Sequence, residues 1–343
     1  LFLATKKIFA PISANFNAAD FPMPLVAPVI KVFLFLISKL IFYRSLNYYL
    51  LQFYDINNTE KPFIMEIDFN NFKLAQCIHG IMIWPTNDSV IGKCLPLYGE
   101  WSEGENIIMS EYINEGDTVI DIGANIGTTV LSMSKNVGKT GKVIAFEPQQ
   151  LMSQCLNTNL TLNDINNVDV YNIAISNESG WAKLNDHEFS NIGRYGEAGI
   201  SDKGTTIKTI TLDEIELDKC SLVKIDIEGH EWQAIQGAKN FLLKHKPALY
   251  MEAKKEVSDT KNYMKWLLNN GWSCYWHFAW WYRENNINNN KNNIFPGIGD
   301  MNILAIHNDD NQPKNLLKLK DYDENWNQDA ILDFYKENNL EMI

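Results

Sequence analysis

The stretch from Gly116 to Val130, GDTVIDIGANIGTTV, decides how this chain is read. Thr118–Ile122 is a short apolar run rich in β-branched residues, as a buried strand requires. Gly123 to Gly127 reads as a glycine-rich turn, and a helix is expected from about Ile126 to Lys135. Such a turn ordinarily holds a nucleotide at the helix N-terminus. The dinucleotide fingerprint G-x-G-x-x-G, laid on Gly123, puts Asn125 and Thr128 where its second and third glycines belong. No G-K-[ST] follows, so a P-loop is excluded as well. What stands here is Asp121-Ile-Gly123-Ala124-Asn125-Ile-Gly127. An acid ends the strand and two glycines follow at a spacing of four. That suits a ligand with an ammonium group and no phosphates. Asp121 can meet the ammonium directly or through water, and Gly123 lets backbone approach an adenosine ribose.

Moving outward, Lys142–Phe146 is a second strand, and it ends in Glu147-Pro148. A carboxylate there can accept hydrogen bonds from both ribose hydroxyls, and Pro148 stops the strand. A helix is expected over Gln150 to Leu162, and Val168–Ala174 reads as a third strand. Asn177 to Lys203 is polar and irregular, and its stretch Asn185 to Gly199, with His187, Arg194 and Tyr195, suits a lid or a plain surface loop. Leu222–Ile227 is a fourth strand that runs into Asp226-Ile-Glu228-Gly229-His230. Three ionisable groups at alternate positions are costly unless used or paired. A helical run follows over Glu231 to Lys244, then a strand at Ala248–Glu252 and a helix over Thr260 to Asn270. Strands alternating with helices imply a parallel sheet covered on both faces. If the first and fourth strands are neighbours, Asp121–Gly127 and Asp226–His230 face one crevice at the carboxyl ends of the strands.

The flanks differ in character. Trp272–Tyr282 and Asp300–His307 read as a closing hairpin, joined by ENNINNNKNNIFPG, a low-complexity loop expected to be mobile. The aromatic group Tyr275, Trp276, His277, Phe278, Trp280 and Trp281 suits either a buried sheet face or a pocket wall. Four regions are expected: an apolar, basic helical extension over 1–60, a cap over 61–115, the main domain over 116–308 and an acidic tail over 309–343. Pro24 to Tyr43 is the most apolar segment, but Lys31 and Lys39 interrupt it well short of a membrane span. It suits a helix packed on the protein's own surface or a basic amphipathic helix in peripheral contact with a membrane, with a true span as the third and least favoured reading. The first methionine is Met23, so residues 1–22 either follow a rare start codon or lie upstream of the native start.

Among 343 residues, 45% are hydrophobic, which excludes disorder of the whole chain. The formal net charge is −12, which argues against a nucleic-acid backbone as partner. The five cysteines, Cys77, Cys94, Cys155, Cys220 and Cys274, form no C-x-x-C pair. A disulfide framework or structural zinc is therefore not expected, and a cytoplasmic, possible membrane-associated location fits.

These residues together resemble the FkbM-type, S-adenosylmethionine-dependent methyltransferases of the Rossmann-like class. The resemblance runs from about Tyr98 to Glu252. It rests on Gly99-Glu100-Trp101, on VIDIGANIG, on AFEP, on Thr211-Leu212-Asp213, on VKIDIEGHE with Gly237-Ala238, and on Pro247 with Glu252. It implies an α/β fold whose sheet has seven strands, mostly parallel, the last one antiparallel. It implies S-adenosylmethionine as cofactor, bound around Glu100, Asp121, Gly123, Ala124, Asn125, Gly127, Glu147, Pro148, Ala174 and Asp226. Asn191-Ile-Gly193 is similar to a family element near the active site. The reaction implied is in-line displacement at a sulfonium methyl by a nucleophilic oxygen of a sugar, lipid or secondary metabolite, so the partner is a small-molecule or glycan acceptor. Asp226 is the first candidate for the base, followed by Glu228, His230 and Glu252. A metal held by Asp226, Glu228 and His230 is not expected, because Gly229 disrupts the alternation of a three-ligand face. Two other readings stand beside this one: a non-catalytic scaffold that keeps the fold, and a nicotinamide oxidoreductase, disfavoured by the two missing glycines.

Overall fold

The computed structural model describes residues 66–69, 71–185, 196, 198–253, 258–307, 312–323 and 327–338. The expected extension over 1–60, with Pro24–Tyr43, lies outside the described residues, as do His187, Asn191-Ile-Gly193, Arg194 and Tyr195. No helix among the described residues is long and apolar enough to cross a membrane.

The chain enters through a three-stranded antiparallel meander, β1 (Glu66–Phe69), β2 (Phe72–Cys77) and β3 (Gly80–Pro85), followed by helices α1 (Ile91–Tyr98) and α2 (Glu103–Ser110). The Rossmann-like alternation follows as β4 (Thr118–Ile122), α3 (Thr128–Asn136), β5 (Lys142–Phe146), α4 (Gln150–Leu162) and β6 (Val168–Tyr171). Two asparagines on α4 close the free edge of β3. Asn159 accepts from Ile83 N at 2.6 Å and donates back to Ile83 O at 3.2 Å. Asn163 does the same for Ile81, at 2.8 and 2.7 Å. An i,i+4 spacing on a helix matches an i,i+2 spacing on a strand, so side-chain amides stand in for a missing strand.

The third expected strand is interrupted. Asn172 leaves it and donates to the carbonyls of Glu147 and Pro148 at 2.8 and 2.9 Å. The chain then builds a second, four-stranded sheet from β7 (Ala174–Ile175), β8 (Gly180–Asn185), β9 (Gly199–Ser201) and β10 (Thr205–Ile210), in the order β7-β10-β8-β9. The segment expected to be irregular is thus partly strand. The alternation was there to read in WAKLN, and in TTIKTI just beyond that segment, where Leu184 and Ile207 turn inward beside Ala174. Next come β11 (Leu222–Ile225), α5 (Glu231–Gln236), α6 (Lys239–His245), β12 (Ala248–Glu252), α7 (Ser258–Asn269), β13 (Trp272–Trp280), β14 (Gly299–His307), β15 (Leu317–Lys318) and α8 (Gln328–Glu337).

The main sheet has the order β6-β5-β4-β11-β12-β14-β13-β15. Five strands, β6 to β12, are mutually parallel. β14 inserts antiparallel between β12 and β13, so an antiparallel strand lies inside the sheet. The two-residue β15 adds an eighth strand to the seven implied. The chain builds outward from β4 to β6 and then returns to the other side of β4 with β11. That reversal leaves a crevice at the carboxyl ends of β4 and β11. All the aromatic residues of β13 except the last are buried, so Tyr275, Trp276 and Phe278 belong to the core.

The asparagine-rich loop is not loose. Asn286 is 1% exposed, donates to the carbonyls of Arg283 and Asn290, and accepts from Asn290 N. Asn288 and Asn290 donate to the carbonyls of Pro96 and Leu97. Asparagine carries both donors and an acceptor on a short stem, so a run of them can satisfy an irregular backbone. Asn286→Ala is expected to lower stability by about 1–3 kcal/mol by leaving buried backbone groups unpaired. Amide hydrogen exchange over 284–293 should accelerate in that variant; unchanged protection would show that the loop holds itself by other means.

Candidate active site

One cleft collects most of the expected residues. Gly123, Ala124, Asn125, Glu147, Pro148, Ala174, Asp226, Glu228, His230 and Glu252 all line it. Asp121, Gly127 and Glu100 do not.

The turn after β4 is bound to the end of β5. Gly123 N and Ala124 N donate to Phe146 O at 2.9 and 3.0 Å. Asn125 N donates to Glu147 Oε2 at 2.8 Å, and Gln149 N donates to Glu147 Oε1 at 2.7 Å. Each carboxylate oxygen keeps a further acceptor position. Burial pushes the Glu147 carboxyl up to about 7, against the pull of these two N–H donors. Gly123 has φ +88°, and a Cβ there would sit 1.8 Å from the backbone oxygen of Asp226. The backbone that approaches this glycine closely is therefore that of the neighbouring strand tip. Gly127 serves packing: its Cβ would collide with Leu156 of α4 at 2.4 Å.

Asp121 lies behind the cleft wall and not on it. It is 0% exposed, and neither of its carboxylate oxygens receives a hydrogen bond. Its nearest cation is Lys224 Nζ, 3.6 Å from Oδ1. Lys224 lies beside Asp121 in the parallel register of β11 on β4 and is 4% exposed. The same ammonium donates to Asp226 Oδ2 at 3.1 Å. The two acidic strand tips are thus joined from within by a lysine. Burial pushes the Asp121 carboxyl up, opposed by Lys224. Burial pulls Lys224 down, but the charges of Asp121, Asp226 and Glu105 outweigh it and hold the ammonium protonated. Glu105, on α2, also lines the cleft. Burial pushes its carboxyl up to about 8, with Lys224 pulling it down and Asp300 and Asp226 pushing it further up.

Glu100 also lies away from the cleft lining. It sits 4% exposed, accepts from Arg283 Nε at 2.8 Å and Nη2 at 3.3 Å, and so anchors the asparagine loop. The turn after β11 is tied by Glu231 Oε1, which accepts from Gly229 N at 3.0 Å and Ile227 N at 3.2 Å. This leaves Glu228, with φ +57°, on the cleft side. His230 Nε2 lies 3.0 Å from Ser176 Oγ, and burial pulls its imidazole below the usual histidine range, opposed by Asp259. One oxygen each of Asp226, Glu228 and Glu252 lies within 4.8 Å of the others, so these three carboxylates, and not His230, converge. Exposed acids often gather without an ion, and the same oxygens can accept from substrate hydroxyls.

Among the lining residues not expected there are Lys224, Glu105, Asp300 and Asn302. A signal existed for Lys224, since a lysine inside a fully apolar strand such as LVKI needs a buried partner. None existed for the others, which come from α2 and β14.

Residues 121–274 match the family model of the Methyltransferase FkbM domain. Over 140 residues the chain is 33% identical to the hexuronic acid methyltransferase AglP of Haloferax volcanii, covering 39% of this chain and 55% of that protein. The chain thus spans about half the length of this curated relative. Among solved structures, the FkbM methyltransferase of Methylobacillus flagellatus aligns with a TM-score of 0.40 and 18% identity, over 55% of this chain and 43% of that one. A SAM-dependent methyltransferase of Aquifex aeolicus aligns with a TM-score of 0.34 and 14% identity, over 62% and 92%. Over residues 121–274 the chain is thus similar to the FkbM methyltransferases.

Proposed function

We propose that the protein transfers a methyl group from S-adenosylmethionine to a hydroxyl oxygen of a sugar. The observation that carries this reading is the cleft at the β4–β11 switch point. A glycine turn and Glu147 line it on one side, and Asp226, Glu228, His230 and Glu252 on the other. The name of the curated relative, a hexuronic acid methyltransferase, supports a sugar as acceptor.

The residues fit the methyl donor at one end. Glu147, held by two backbone N–H groups, keeps lone pairs for the ribose hydroxyls, and the main chain of Gly123–Asn125 forms the adjoining wall. When bound, S-adenosylmethionine supplies a methyl already activated on a sulfonium sulfur. The protein's share is then to align an oxygen and remove its proton. Asp226 stands at the tip of β11, with Lys224 fixing one of its oxygens, and it takes the hydroxyl proton. Asp121 acts from below, holding Lys224. His230 is the second candidate base: a neutral imidazole at pH 7 can accept a proton, and Ser176 fixes its Nε2 side.

Asp226→Asn is expected to lower kcat by about 10²–10⁴-fold, while S-adenosylhomocysteine binding by calorimetry stays within a few-fold. Full turnover in Asp226→Asn together with its loss in His230→Asn would transfer the role to His230. Tight S-adenosylhomocysteine binding with no methylation of any acceptor would favour the scaffold reading. Binding of NADH in its place would favour an oxidoreductase.

A further inference from the structure

The cleft has an aromatic wall that the reading above does not use. Trp101, just before α2, and Trp281, directly after β13, both line it and both are only partly buried. Their ring centroids lie 5.1 Å apart with the planes inclined at 49°. Each is fixed from behind. Trp281 Nε1 donates to Asp300 Oδ2 at 2.6 Å, and its ring meets Phe295 edge-on. The pair Glu100–Arg283 links the residue before Trp101 to a residue just past Trp281. Asp300 also lines the cleft, where its carboxylate presents acceptor oxygens.

We infer that Trp101, Trp281 and Asp300 form the acceptor's sugar subsite, in which a hexopyranose ring lies on the indoles and a ring hydroxyl donates to Asp300. This rests on the methyltransferase reading and names where its acceptor sits. Two rigid aromatic faces with a carboxylate at their edge match a ring that is apolar on its C–H faces and polar around its rim. The rival occupant of such a wall is the adenine of the methyl donor. Sheet order argues against it. Glu147 stands at the tip of β5, whereas Asp300 begins β14, four strands away in the order β5-β4-β11-β12-β14. At about 4.8 Å per strand that separation is roughly 19 Å. Asp226, directly after β11, stands between them, where the methyl must pass from one ligand to the other.

The test uses the full chain and two readouts. Saturation-transfer NMR follows methyl glucopyranoside, galactopyranoside and mannopyranoside, and calorimetry follows S-adenosylhomocysteine. In the wild type at least one hexopyranoside should receive saturation from the protein. Trp101→Ala and Trp281→Ala should weaken that sugar at least tenfold and leave S-adenosylhomocysteine within twofold. Trp281→Phe, which keeps a ring and loses the Nε1 donor, should fall between, and its circular dichroism melt controls for folding. Sugar binding unchanged in both alanine variants would overturn the assignment. So would loss of S-adenosylhomocysteine with the sugar unaffected, which would give the wall to the donor. No hexopyranoside bound, with S-adenosylhomocysteine bound normally, would also overturn the subsite and leave the methyltransferase reading standing. Failure of S-adenosylhomocysteine to bind the wild type would instead strike that reading, while the sugar arm still decides the wall.

Discussion

Lys224→Met should lower the stability of the protein by about 3–5 kcal/mol, the cost of breaking a buried ion pair by removing one partner. Lys224 and Asp121 are both buried, and Asp121 has no hydrogen-bond donor to replace the lost ammonium. Asp226 and Glu105 lose their cation in the same step. The deficit has a pH signature. Asp121 and Glu105 already sit above the ordinary carboxylate range in the native protein, Glu105 at about 8. Without Lys224 both move further up. A carboxyl whose folded-state value exceeds its unfolded one is stabilising while protonated, and it loses that contribution as pH rises through the window between the two values. The variant should therefore come closest to wild type near pH 5 and fall furthest behind near pH 8. Adding Asp121→Asn should recover part of the loss, because the buried charge left alone is then removed as well. Thermal or urea unfolding across that pH range checks all three statements. A deficit below 1 kcal/mol, or one that grows toward acid, would show that Lys224 is not what neutralises the strand tips.

Gly123→Ala should be comparably severe. The left-handed backbone at φ +88° costs a side chain about 1–3 kcal/mol. The Cβ would also overlap the Asp226 carbonyl oxygen at 1.8 Å, and relieving such overpacking costs about 1–3 kcal/mol more. The relief must come from moving backbone, because the obstacle is a main-chain oxygen of the adjacent strand tip. Whatever folded fraction remains should have β4 and β11 spread apart, with Asp226 displaced. Turnover should fall further than S-adenosylhomocysteine affinity, since Glu147 is anchored to Asn125 and Gln149 and not to Asp226. A variant within 1 kcal/mol of wild type would mean that the two tips are free to separate.

The acidic, glycine-turned strand tips were legible because their chemistry is local. A strand that ends in an acid, a turn that only small residues can make and a helix that follows are all written within fifteen residues. The alternation of strands and helices placed β4 and β11 on either side of a crevice by the same logic, since a parallel sheet needs crossovers and a returning chain leaves a switch point. Where the sequence was silent, the cause was a partner far away in the chain. Glu100 stands in a motif beside Trp101, yet its carboxylate faces Arg283. The asparagine loop looked featureless because its order depends on the carbonyls of Pro96 and Leu97, which no local pattern announces.

By itself, then, the amino-acid order determined the Rossmann-like alternation, the crevice and the identity of Gly123, Glu147 and Asp226 as its edge, because backbone sterics and strand periodicity act over a few residues. Only the tertiary structure decided that Lys224 sits between Asp121 and Asp226, that Glu105 and Asp300 join them, and that Trp101 meets Trp281. Desolvation and Coulomb attraction depend on distance in space, and folding alone sets which charges and rings share a buried volume.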